Sequence, residues 1–139
     1  MTGVLSLCVL GWMLGSFGGE GLPPLDDIFA KNSGSRFARL LADQGRVHVD
    51  LRPLLQDHGN LSQQQVNLGF QKIHDRFRVS KAQIINSQGD TNFAWLEVHL
   101  QLTLSDRKSG REHRAVFAFH FKQRSSQLAL QRWVLQDLY

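Results

Sequence analysis

Cysteine is all but missing from this chain: Cys8 is the single thiol in 139 residues. One cysteine forms no internal disulfide, and beyond residue 8 the chain has neither a thiol nucleophile nor a cysteine ligand for a metal. Tyrosine also occurs once, as the last residue, Tyr139, which leaves the body of the chain without a phenol donor. No apolar run reaches the ~20 residues that a membrane-spanning helix requires. No glycine-rich phosphate loop stands between a strand and a helix, since "FGGEG" lies near the start of the chain, and no serine sits in a nucleophile elbow. His48, His58, His74 and His113 show no pair at the i, i+4 spacing of helical metal ligands, so neither a metal nor a cofactor is expected.

Charge is also missing from one stretch. The first nineteen residues, "MTGVLSLCVLGWMLGSFGG", carry no charged side chain. Their apolar run, Val4 to Leu14, ends in small residues, with Ser16 and Gly18 spaced like a cleavage site. Residues 1–18 are therefore expected to be a signal peptide that exports the protein to a periplasm or the outside of the cell. The alternative is a membrane anchor over residues 1–19, because no Lys or Arg precedes the apolar run. Residues 19–24 follow as a linker and residues 25–139 as one domain, long enough to bury a core.

Basic residues exceed acidic ones, 16 to 12, for a net charge of +4. The charges are spread along the chain. Only Arg107, Lys108, Arg111 and Arg114 cluster, around a hairpin tip, which argues for a solvated turn and against nucleic acid as a partner.

The periodicity shows an order of elements. Pro24 opens a helix with Leu25, Ile28 and Phe29 inward; Gly34 stops it, and Ser35 caps a second helix carrying Phe37, Leu40 and Leu41. "RVHVDL" alternates as a short strand with Val47, Val49 and Leu51 on one face. "RPLLQDHGN" reads as a loop. Ser62 and Gln65 form a capping box for a helix with Val66, Phe70, Ile73 and Phe77 inward. Strands then cover Val79 to Ser87, Phe93 to Ser105, Glu112 to Gln123 and Leu128 to Leu138, joined by tight turns. The order α-α-β-α-β-β-β-β is an α+β layout, with helices on the concave face of a curved antiparallel sheet.

That order, with the phrases "RFARLLADQGRVHV" and "RWVLQDL", resembles the nuclear-transport-factor-2-like (cystatin-like) superfamily over residues 24–138, including its exported bacterial members of unknown role. The resemblance implies a cone-shaped sheet over the helices. It also implies an activity from a wide set, since the superfamily includes dehydratases, isomerases, cyclases and transport factors.

Pairing Ser105 with Glu112 sets Leu96 against Phe121, Val98 against Phe119 and Leu100 against Phe117, so every apolar residue meets another. The concave pocket is then lined by Val49, Phe70, Leu96, Val98, Leu100, Phe117, Phe119 and Trp133. Glu97 falls opposite His120, and Trp95, Glu97, His99 and His120 share the outer face. A carboxylate beside imidazoles can do acid–base work, but only in a dry pocket, and these side chains point away from it. Enzymes of the resembled fold often carry a base on the first strand. Val49 stands at about that place, and Asp50, one step off, is the sole catalytic candidate. In the closing strand, burying the Trp133 parity needs a partner only for one N–H, whereas the other parity buries Arg132. Trp133 and Leu135 are therefore expected inside, with Arg132 and Gln136 outside beside His120.

These features favour a non-catalytic exported domain that binds an apolar small ligand or a protein partner. The alternatives are a small lyase or isomerase using Asp50 and a structural module that homodimerises through the outer sheet face.

Overall fold

The computed structural model describes residues 22–41, 45–90, 92, 94–124 and 127–139; the leader lies outside the described residues. Helix α1 (Leu25–Ala30) buries Leu25, Ile28 and Phe29, and α2 (Gly34–Ala38) buries Phe37. The break between them falls elsewhere than the sequence suggests. Asn32 takes the left-handed conformation (φ 51°), Ser33 is the N-cap of α2, and Gly34 is its first residue. Asparagine tolerates that conformation because its short polar side chain bonds locally.

Strand β1 (Val47–Asp50) pairs antiparallel with β2 (His58–Leu61), a strand within the segment that reads as loop. "HGNL" has no alternation to announce it; Gly59, at φ +115°, stands opposite Val49. Helix α3 (Gln63–Arg76) opens on the capping box, with Gln65 N donating to Ser62 Oγ and Ser62 N to Gln65 Oε1. Phe77 is not its last inward residue but the first of β3 (Phe77–Gly89). Strands β4 (Trp95–Asp106), β5 (Glu112–Arg124) and β6 (Gln127–Leu138) complete the chain. Asp106 Oδ1 organises the β4–β5 turn by accepting from Lys108 N and Ser109 N at 2.8 and 3.1 Å.

Among the described residues the strands form one six-stranded sheet in the order β2–β1–β6–β5–β4–β3, curled but unclosed. Neighbours are antiparallel except β1 and β6, which run parallel. The β4–β5 register joins Ser105 to Glu112, Glu97 to His120, Val98 to Phe119 and Leu100 to Phe117. Along β6 the inward parity changes at register shifts. Leu130 is buried opposite Phe121 and Trp133 opposite Phe119, with Gln131 as the extra residue between. A bulge adds one residue and moves all later side chains to the other face. Trp133 is fully buried, Leu135 packs on the core, and Arg132 and Gln136 are exposed.

The three helices among the described residues cover the concave side. Phe29 of α1 lies 5.9 Å from Phe119 and 6.2 Å from Trp133, and Phe37 of α2 lies 5.4 Å from Trp133.

Candidate functional site

The inside of the cone is the natural place for a site, and the chain's own rings occupy it. Trp133 stacks on Phe119 (centroids 5.6 Å, planes 16° apart), and Phe37 stacks on Phe70 at 4.5 Å. Phe29 closes the group at 4.9 Å from Phe70, and Phe117 lies 5.9 Å from Trp133. Val49, Leu96, Val98 and Leu100 are as buried as these rings, each 2% exposed or less. All eight side chains expected to line a pocket therefore share one packed core, brought together by α1, α2, α3 and the sheet. One polar atom there lacks a partner: Trp133 Nε1 is buried and makes no hydrogen bond.

His74 is the one buried titratable side chain among the described residues. Its Nε2 lies 2.8 Å from the Phe29 carbonyl oxygen and its Nδ1 3.1 Å from that of Phe70. Both ring nitrogens are thus turned to backbone carbonyl oxygens, and these contacts tie α1 to α3 rather than pointing the ring at an open site.

Asp50 lies on the side of β1 away from the cone, between the buried Val49 and Leu51, with its side chain 37% exposed. Arg52 clamps it: Nε donates to Oδ1 at 3.0 Å, a second guanidinium nitrogen to Oδ2 at 3.1 Å, and the backbone N to Oδ1 at 3.2 Å. Those bonds, led by the guanidinium, hold the carboxyl down at about 2. So acidic a group is a poor proton acceptor near neutral pH. The residues responsible, D-L-R, stand two apart in the sequence.

On the outer face, His99 Nε2 donates to Glu97 Oε2 at 2.9 Å, and His120 Nδ1 approaches Glu97 Oε1 at 3.7 Å. Trp95 lies flat on His120, centroids 6.0 Å and planes 15° apart. The pairing of β1 with β6 extends this group in a way the sequence does not announce: His48 faces Arg132, and Arg132 faces His120. A shallow hollow of about 350 Å³ lies elsewhere, between the β2 segment and α3, where Asp57 and Lys72 pair at 3.2 Å. Among the described residues no cluster of three His, Cys, Asp or Glu side chains is placed to hold a metal ion, and no helix is long and apolar enough to cross a membrane.

No protein-family model and no curated protein sequence matches this chain. Solved structures do match it. A DUF4783 family protein from Bacteroides ovatus superposes with a TM-score of 0.62 at 13% identity, covering 84% of this chain and 96% of that one. A protein with a ketosteroid isomerase-like fold from Catenulispora acidiphila, solved in complex with trimethylamine, gives 0.62 at 8% identity over 85% of each chain. A protein of unknown function with a cystatin-like fold from Nostoc punctiforme gives 0.54 at 13% identity, covering 79% of this chain and 80% of that one. The chain has the nuclear-transport-factor-2-like, or cystatin-like, cone fold. Likeness at such identities defines the architecture and carries no activity with it.

Proposed function

We propose that this protein is an exported, non-catalytic cone-fold domain that works by binding a protein partner through the outer face of its sheet. The observation that carries this reading is the packing of Phe29, Phe37, Phe70, Phe119 and Trp133, which fills the place where enzymes of this architecture would hold a substrate. Chemistry in the cone would also need a base there, and the Asp50 carboxylate is turned outward and neutralised by Arg52. That weighs against the lyase or isomerase alternative. Export rests on the uncharged apolar leader.

A second reading, an apolar small ligand with one acceptor atom inside the cone, is favoured by one observation, the unpartnered Trp133 Nε1. An occupant that accepted from this N–H would satisfy a group that is otherwise costly to bury.

Native mass spectrometry of protein recovered from the producing cell separates these readings. The expected species is a ligand-free chain beginning near Gly19. A small molecule retained through gentle desolvation would replace the partner reading with the ligand reading. Recovery of only the full-length chain, held in the membrane, would turn the leader into an anchor. A stable dimer would favour the homodimerisation module.

A further inference from the structure

The outer sheet face carries a transverse row that crosses four strands: His48 on β1, Arg132 on β6, His120 on β5 and Glu97 on β4. Adjacent strands stand ~4.8 Å apart, so Arg132 lies between two imidazoles within reach of a single bound group. Lys122 occupies the next outward position along β5 from His120, directly opposite Trp95. Among the described residues neither Arg132 nor Lys122 forms an ion pair, and the carboxylates in and beside the row, Glu97 and Asp50, are engaged elsewhere. Glu97 is held by His99 and His120, and Asp50 by Arg52. Asp137, the one carboxylate of β6, lies further along the strand opposite Val116, and Glu112 lies at the far end of β5 opposite Ser105. The patch thus offers donors with no acceptor, set beside a flat aromatic that is 37% exposed.

Resting on the reading of this face as the working surface, we propose that its partner is an acidic protein segment. The segment's carboxylates would bind Arg132 and Lys122, and an apolar side chain would rest on Trp95. Charge complementarity decides the occupant. A second copy docking by the same face would bring two unneutralised sets of Arg132 and Lys122 together, because a twofold contact applies one patch to itself. A merely solvated face has no need of Trp95 stacked on His120 next to an arginine, whereas Trp and Arg are the residues that anchor interfaces. Arginine also gives a carboxylate two parallel bonds, which fixes direction as well as charge.

The test is amide chemical-shift mapping of the protein with a short peptide that alternates Glu and Asp with leucine. The same peptide with Gln and Asn, and inorganic polyphosphate, serve as the other probes. The expected result is saturable shifts at Trp95, His120 and Arg132, an affinity that falls with salt, and little binding of the neutral peptide. Arg132→Glu and Lys122→Glu should each weaken binding about tenfold, as the reversal of an interfacial charge does. Both residues are exposed, and an unchanged Trp133 environment verifies the fold of each variant. Equal binding of the neutral peptide at the same face would overturn the acidic partner while sparing the outer-face reading. Peptide shifts centred on Phe119 and Trp133 would overturn that reading itself. Failure of the acidic peptide to bind, equally tight binding of polyphosphate, or self-association through Arg132 and His120 would each overturn the proposal.

Discussion

Asp50 illustrates how one neighbour determines what a carboxylate can do. Its two oxygens are taken by Arg52, and its folded-state pKa of about 2 lies below the ordinary 3.8. The ion pair therefore contributes stability that is full above about pH 4 and is lost as the pH falls from there towards 2. With over a third of the side chain exposed, solvent screening keeps that contribution small. Asp50→Asn should leave stability at neutral pH within about 1 kcal/mol of the parent and flatten the acid side of the stability profile, measured by denaturant titration across that range. A loss of several kcal/mol at pH 7 would show that the carboxylate does more than hold Arg52. The two faces of β4 and β5 make a sharper pair. Phe119→Ala should cost about 3–5 kcal/mol, and Glu97→Ala should stay within about 1 kcal/mol. Large losses of equal size would contradict this assignment of the faces. Period-two alternation makes these faces legible in the sequence. The placing of His48 beside Arg132 is not legible, because a parallel pairing of β1 with β6 joins residues with no local signal between them.

Among the elements, β6 shows where parity reasoning reaches its limit. "LALQRWVLQDLY" supports either parity, and the strand uses both: Leu130 and Trp133 are each buried, on opposite sides of the bulge at Gln131. The argument that keeps Arg132 out and puts Trp133 inside holds, but a choice between parities has no place for a bulge. Strand β2 escaped for another reason, since a four-residue edge strand with one glycine has too little pattern to distinguish it from a loop. Helix α3 was fully legible at its start, where the capping box is written in Ser62 and Gln65. Its interior glycine offers a test of packing. A Cβ at Gly69 would lie 3.7 Å from Leu51 and from Trp133 and 3.8 Å from Asp57 Oδ2, all ordinary contacts. Glycine in a helix interior costs up to about 1 kcal/mol relative to alanine. Gly69→Ala should therefore raise stability by about 0.5–1 kcal/mol in a thermal or denaturant melt. A decrease would mean that α3 lies closer to Trp133 than these distances.

For the whole molecule, the arrangement of helices over a curled sheet follows from the order of the elements and from the apolar face of each, so the architecture was within reach of the sequence. The state of the cone was not. The residues that line a pocket and those that fill a core are of the same type, and only packing distinguishes them: here Phe29 and Phe37, carried in by the short helices α1 and α2, meet Trp133 and Phe70 in the middle. Trp133 stands at the centre of this group, which makes it the natural reporter. In a Trp12→Phe, Trp95→Phe variant of the full chain its emission can be recorded alone, with acrylamide as quencher and with an excess of an apolar ring compound. A filled cone predicts blue-shifted, quencher-resistant emission that the apolar compound leaves unchanged. A water-like spectrum from folded protein, or a saturable change on adding the compound, would contradict it.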